Sequence, residues 1–524
     1  MKKILKGLLA AAMMVSAANA AKFSNHTYLS VKDTHTQNAD LNCMGGSAAS
    51  TKKFGATVHV SGFVRQSHNE KDAAAYFGGG GVDADRDGKI HVVANDGTST
   101  TVFHDDKGLY GHQLDHAPTT ADTVKAMYGT VELAPKRKEF GGQISWHQNL
   151  NSTVEGLSFF VNVPVVRVEH ELGFKATGTA NAATTDGQVG ATLGQYFSGT
   201  TFTKGAKATQ DALAYGKMDA TKRQITNVPD VMAGLGYRFI NEADYCVDGG
   251  LTFVVPVSNK PKANHIFEPV MGTAGKFAFG GYLGGCFNLW RHKTKNMGLD
   301  LKLGANYRYT FEGSEHRILG IYNHKTEKLV NAGHYRNLIK HAGDSAVPAA
   351  NALRREVDVT PGSQFGLNGG FCFTFKKCTI DAGYSLNFRE EESVKLKTSN
   401  KWFDNQYGLL AAAADVSTAG GGIVGSNDFT VEGPIQSQGT KTVDKDSAGA
   451  ALGDKNSTAT HYVSTMACQT PSQTTHKVSG ALSFGGLKKL PVSLTVGGGF
   501  EFDAHNANRA LVSWDLFGKL GFTF

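Results

Sequence analysis

The chain has 524 residues, with 63 Gly, 12 Pro, 31 Phe, 19% charged residues and a formal net charge of +7. Three of the positive charges are Lys2, Lys3 and Lys6, so the remainder is only mildly basic. No dense Lys/Arg block with interleaved aromatics occurs, so nucleic acid is not an expected partner. The short cluster Lys136-Arg137-Lys138 reads as a solvated loop edge.

At the N-terminus those lysines precede an apolar run from Leu8 to Val15, and then Ala18-Asn19-Ala20 before Ala21. That order predicts a secretory signal peptide over residues 1–20 with cleavage after Ala20. The apolar run is too short for a membrane helix, and no later segment supplies the eighteen consecutive apolar residues that a helical span needs. Residues 21–53 are expected to form a periplasmic N-terminal segment, and 54–524 the body of the protein.

In chain order, period-two alternation predicts strands near 54–66, 138–149, 156–169, 226–240, 246–257, 274–290, 297–312, 362–376, 378–395, 474–485, 489–503 and 508–524. The clearest is 297–311. There Met297, Leu299, Leu301, Leu303, Ala305, Tyr307, Tyr309 and Phe311 alternate with residues that include Asp300, Lys302, Asn306 and Arg308. Because strand side chains point alternately to opposite faces, one face is continuously apolar and the other carries both signs of charge. The predicted connections alternate between short turns and long loops at 67–137, 170–225, 313–361 and 396–473. Long loops and tight turns on opposite ends are the pattern of a closed antiparallel transmembrane β-barrel of about twelve strands, all-β, with long extracellular loops. Asp211 to Tyr215 reads as a short loop helix, and Ala121 to Pro135 as either loop or an extra strand.

The last strand carries the sharpest signal. Phe524, Phe522, Leu520, Leu516, Trp514 and Val512 share one face, opposite Lys519, Asp515 and Ser513. Here the sequence resembles the Gram-negative outer-membrane β-barrel, porin-like proteins, whose final strand ends in Phe after alternating apolar residues. That resemblance covers the terminal dozen residues and implies an outer-membrane location. It also implies that Trp514, Leu516, Leu520, Phe522 and Phe524 are read as an assembly signal by the barrel-assembly machinery.

With apolar faces toward lipid, the opposite faces line a lumen. The residues so assigned are His59, Arg65, Gln143, His147, Arg238, Asp248, Asp300, Lys302, Arg308, Asp381, Arg389, Glu501, Asp515 and Lys519. Charges on opposed walls bias solute passage; alternatively, they pair with one another and fill the interior. The leading function is a passive channel for small hydrophilic solutes. The alternative is a plugged surface barrel acting as a structural protein or adhesin through its loops. Outer-membrane lipid and a possible homo-oligomer complete the expected partners.

Three further motifs bear on chemistry. Asp83, Asp85 and Asp87, followed by Gly88 and Ile90, match the start of a calcium loop, but the twelfth position is Ala94 and lacks the bidentate Glu. Calcium binding and a solvated acidic loop both stay open there, and no other cofactor is expected. Ser145 and His147 share a strand face, the minimum for a hydrolase, yet two residues apart on a strand they sit beyond hydrogen-bond reach. The protein is therefore read as a non-enzyme. Six cysteines show no CxxC; Cys246 and Cys286 fall on strands predicted to be near each other.

Overall fold

The computed structural model describes residues 26–31, 55–68, 70–77, 89–93, 109–110, 128–179, 192–200, 209–292, 296–323, 328–330, 332–340, 345–397, 407–410, 431–437, 461–487, 490–503 and 511–524. Twelve long strands form its frame: β1 (Ala56–Ser67), β2 (Lys136–Asn149), β3 (Leu157–Glu171), β4 (Asp230–Asn241), β5 (Tyr245–Pro256) and β6 (Ala278–His292). The second half adds β7 (Met297–Thr310), β8 (Gly362–Phe375), β9 (Cys378–Arg389), β10 (Gln473–Leu487), β11 (Leu490–Asp503) and β12 (Ser513–Thr523).

Each strand pairs antiparallel with its sequence neighbour, and β12 returns to β1 with Thr57 opposite Thr523 and Ser67 opposite Ser513. The seam between β3 and β4 is closed by pairing of residues 157–162 with 232–237. Toward the loop end, Arg223–Asn227 takes over as the partner of β3. Val228 and Pro229 separate these two stretches. Proline has no N–H to donate, so the ladder breaks there and the strand bends. The result is a closed barrel with no free edge, the arrangement that lets a sheet cross hydrocarbon with its backbone fully paired.

Alternation sets the two faces. Outward stand Ile144, Leu235, Leu283, Leu303, Ile380, Val496 and Leu516, all exposed apolar side chains. Toward the ends of the strands the outward row turns aromatic. Trp146, Tyr237, Phe239, Phe375 and Phe522 mark the turn end; Phe140, Phe253, Tyr309, Phe365 and Phe500 mark the loop end. Two aromatic girdles around an aliphatic band are the signature of an outer-membrane barrel. The protein is thus a bacterial outer-membrane β-barrel by the polarity of its own surface. No helix among the described residues is long and apolar enough to cross a membrane.

The predicted strands agree with the observed ones in number and place. Residues 390–395 depart: the strand predicted to run to 395 leaves the wall after Arg389, and Ser393–Leu396 joins a small sheet with Arg354–Thr360 and Gly313–Ile318. The tentative strand within 121–135 exists as Tyr128–Glu132, but it pairs with Lys89–Val93 and Lys175–Thr179 outside the barrel, so the even count stands. Asp211 to Tyr215 is not helical; the helix of that loop is Leu193–Ser198, closed by a Thr192–Gln195 capping box and by Gly199 in the left-handed conformation. Arg137 corrects the reading of residues 136–138 as a solvated edge, because it is buried on the inward face of β2.

The long loops fold together rather than fraying. Among the described residues, three small sheets and three short α-helices enclose a hydrophobic core of their own, in which Phe77, Tyr196, Phe197, Leu213, Tyr335 and Leu353 are fully buried. Burying a side chain of that size contributes about 1.5–3 kcal/mol, so a core of this extent holds the loops as one cap.

His26–Val31 sits in the middle of that cap, which corrects the expectation that residues 21–53 are periplasmic throughout. Gly55 lies at the turn end beside Asn149, whereas His26 N donates to Tyr76 O and Thr27 N to Ala467 O at the loop end. The physical reason is satisfaction of an extended backbone by neighbours from several loops. Thr27 Oγ1 donates to Ile318 O at 2.6 Å, and Ser30 N donates to Thr470 Oγ1 at 3.0 Å.

A charge placed in the aliphatic band tests this frame. Leu303→Arg is expected to cost about 2–4 kcal/mol in reversible urea unfolding from detergent or bilayer, the range for a cation at a barrel's midplane. Arginine at an exposed position of a soluble sheet would cost far less.

Candidate functional site

The inward faces of the strands build the candidate site. Residues 57, 59, 61, 63, 65 and 67 of β1 alternate with the outward Val60 and Val64, and the same parity carries Gln143, Ser145 and His147 on β2. All fourteen residues proposed for the lumen lie on inward faces. The structure joins several of them: Lys302 Nζ reaches Asp381 Oδ1 at 3.4 Å, Arg65 Nε lies 3.8 Å from Asp515 Oδ2, and Asn288 Nδ2 donates to Asp300 Oδ1 at 2.8 Å. Arg238 and Asp248 stand opposite each other across β4 and β5, with His147 in their field. Arg308 pairs with Gln364, Glu501 lies opposite Lys477, and Lys519 stands opposite Thr495 and Ser61. His59 lies beside Gly521, close enough that a Cβ there would collide with its ring.

Three partners were missed in the sequence. Glu139 receives Arg65 Nη1 at 2.9 Å and Arg137 Nε at 2.6 Å, and Lys477 Nζ reaches Asp515 Oδ2 at 2.8 Å. All are nearly fully buried. The two-residue alternation that places Gln143 and His147 inside also places Arg137 and Glu139 there, so that signal was available.

Below this charged tier is an apolar one. Phe63 and Phe517 face each other across β1 and β12, and with Ala481, Val166, Val168 and Met271 they form a small internal cluster. Two glycines make room. A Cβ on Gly141 would meet Phe63 Cζ at 2.7 Å, and one on Gly497 would meet Phe517 Cζ at 2.6 Å.

Above it, under the cap, lies a chamber of about 50 Å³. Arg65, Arg137, Glu139, Gln364, Arg389 and Glu501 line it, and Leu29, Ser30 and Val31 of the N-terminal stretch form part of its roof. Arg389 Nη1 donates to Ser30 Oγ at 3.0 Å. A second space continues from it past Arg137, Gln364 and Arg389 to Tyr28, Lys276 and Glu392.

The cap is fastened to the wall by a buried ion network. Lys276 pairs with Glu315, Arg317 pairs with Glu315, and Arg317 Nη1 reaches Glu392 Oε2 at 2.8 Å. Tyr28 lies flat under the guanidinium of Arg317, whose Cζ is 3.4 Å from the ring centroid. Burial alone would raise the Glu392 carboxyl, but the charges of Arg317 and Arg389 outweigh it and hold that group at about 2. Burial pushes the Tyr28 hydroxyl up, with Glu315 adding to the effect. His334, enclosed beside Tyr335, is pushed down to about 3 by burial.

Other predicted sites separate. Gln143 Nε2 donates to Ser145 Oγ at 2.8 Å, and no hydrogen bond joins Ser145 to His147 among the described residues. Asp83, Asp85 and Asp87 lie outside the described residues. Among those described, no group of three or more His, Cys, Asp or Glu side chains is placed to hold a metal ion. On β12, Leu516, Leu520, Phe522 and Phe524 are exposed on the outward face and Trp514 is half-buried there.

No family model matches the chain, and no curated protein sequence matches it. Among solved structures, it is similar to an outer membrane channel from Pseudomonas putida F1, at 7% identity over 91% of this chain and 99% of that one, with a TM-score of 0.36. It is also similar to the transport unit of the autotransporter AIDA-I from Escherichia coli, at 8% identity over 93% and 95% of the two chains, TM-score 0.29. A FadL homologue from Pseudomonas aeruginosa matches at 9% identity over 90% of each chain, TM-score 0.26. The barrel assignment above rests on strand register and surface polarity, independently of these likenesses.

The cap's acid sensitivity follows from His334 and Glu392. A histidine whose folded value is lowered binds its proton in the unfolded state first, so stability rises with pH between about 3 and 6.5. Its loss on acidification approaches about 1.4 kcal/mol per pH unit below 6.5. Glu392, lowered from 4.5 to about 2, adds a further loss only as pH falls through that lower window. Protection factors over Gly333–Asn337, each taken against the intrinsic exchange rate at its own pH, are expected to fall from pH 6.5 downward, and His334→Phe to flatten that fall above pH 5 while leaving the Glu392 part below 4.5.

Proposed function

We propose that the protein is an outer-membrane channel for small hydrophilic solutes, closed at its loop end by the folded cap in this conformation. The observation that carries this reading is the chamber between cap and apolar tier, on whose wall the charged groups of Arg65, Arg137, Glu139, Arg389 and Glu501 stand among apolar ones. Charged groups on opposed walls favour hydrated solutes over apolar ones, and the fourteen inward residues are the proposed path. His26–Val31 acts as the fastening of the closed form, since it bonds at once to Tyr76, Ile318, Ala467, Thr470 and Arg389 from different loops and the wall. No covalent chemistry is required of any residue.

The outward row of β12 is proposed as the strand read by the assembly machinery, and association of barrels through their lipid faces is compatible with the belt. A second reading has its own observation. The cap has a core of fully buried aromatics, Tyr196, Phe197 and Tyr335, and so presents a rigid outer surface suited to structural or adhesive contacts.

Planar-bilayer recording separates the two. The purified protein is expected to show small, infrequent openings, and Tyr28→Ala combined with Leu29→Asp to raise conductance several-fold by releasing the cap while β1–β12 stay heat-modifiable. Absence of conductance and of liposome solute uptake in both proteins, with folded barrels, would remove the channel reading and leave the surface one.

A further inference from the structure

Cys246 on β5 and Cys286 on β6 are direct register partners, flanked by the pairs Tyr245–Phe287 and Val247–Gly285. Directly opposed residues on antiparallel strands have Cα atoms about 4.5 or 5.5 Å apart, and a disulfide asks for Cα atoms about 4.4–6.8 Å apart, so the strand pairing brings the two backbones within bridging range. Both side chains share the inward parity of Asp248 and Gly284 rather than the outward parity of Leu251 and Leu283. Both thiols are half-buried. They lie at the turn end, where Asn288 N donates to Asp244 O at 2.7 Å beside the 242–244 turn.

The other described cysteines have no such neighbour. Cys372 stands opposite Asp300 and Asp381, Cys378 opposite Phe375 and Phe484, and Cys468 is enclosed in the cap with its thiol donating to Thr465 O.

We propose that Cys246 and Cys286 are a modification site, joined as a cross-strand disulfide by an oxidised protein dithiol of the periplasm. One thiolate attacks a sulfur of the donor's disulfide, forming a mixed disulfide and releasing the donor's other thiolate. The second cysteine, as thiolate, then attacks its neighbour's sulfur, which forms the Cys246–Cys286 bond and releases the donor's first sulfur as a thiolate. Each cysteine gives up its proton; the donor takes both electrons and both protons and leaves as a dithiol. An outer-membrane protein passes through that oxidising compartment on its way to its site. The bond would tie together the two strands that carry the 257–277 loop, which is itself anchored to the wall where Ser258 Oγ donates to Asp230 Oδ1 at 2.9 Å and Thr273 N to Asp230 Oδ2 at 2.6 Å. This inference does not depend on the channel reading.

The test uses full-length protein in native outer membranes, denatured in detergent with a maleimide before any reduction and then mapped by peptide mass spectrometry. The expected result is that the peptides bearing Cys246 and Cys286 appear as one linked species lacking one hydrogen from each thiol, while Cys372, Cys378 and Cys468 carry maleimide. After reduction the linked species should divide into two alkylated peptides. Cys246 and Cys286 both alkylated without reduction, or either one linked to a different cysteine, would overturn the proposal. Cys246→Ser gives a second readout: Cys286 should become alkylated, and a reductant that lowers the unfolding midpoint of the natural protein should leave that of the variant unchanged.

Discussion

A peptide group inside hydrocarbon has no water to bond, and an unpaired one there costs several kcal/mol. Every other feature of this molecule follows from meeting that constraint with strands. Twelve antiparallel ladders close on themselves between β12 and β1 and again between β3 and β4, so the wall has no unpaired edge. Closure then gives each strand two environments. Odd positions of β7 such as Leu303 and Tyr307 meet lipid, and even positions such as Lys302 and Arg308 meet the interior.

The interior poses the opposite difficulty, because charges out of water are stable only when partnered. Arg65, Arg137, Glu139, Lys477 and Asp515 solve it as one tier, and Lys302 with Asp381 as another pair. Between charged groups and turn end, Phe63 and Phe517 lie along the wall over two residues that must be glycine. The cap applies ordinary globular packing on top of this frame. Its aromatic core excludes water, and its ion network of Lys276, Glu315, Arg317 and Glu392 joins three loops at the barrel rim. Tyr28 under Arg317 makes the N-terminal stretch part of that joint.

What the sequence made legible was the part governed by a local rule. Period-two alternation is enforced residue by residue, so β7, β9 and β12 could be read directly, and the inward parity of Asp300, Asp381 and Asp515 came with them. The same rule would have placed Arg137 and Glu139 inside, but the basic triplet 136–138 read as surface charge when its composition was weighed before its parity. The cap was not legible, because its contacts join residues more than a hundred positions apart: Thr27 with Ile318, Tyr196 with Tyr335, Arg317 with Cys468. Nothing local marks residues 26–31 as belonging at the loop end. The Asp211–Tyr215 helix failed for a related reason: Ala214 N bonds to Asn351 Oδ1 from another loop, and Asn351 Nδ2 donates to Ala212 O, so the segment's backbone is satisfied from outside rather than by its own turn.

The central claim is that hydrocarbon solvates the apolar row of every strand. Nitroxide labels placed one at a time along residues 298–309, in a background with the six native cysteines replaced by serine, measure this directly in bilayers through collision with oxygen and with a water-soluble nickel chelate. The account predicts oxygen accessibility peaking at odd positions and nickel accessibility at even ones, with a two-residue period. Odd positions shielded from both reagents would mean that those rows meet a second sheet of protein, and would contradict it.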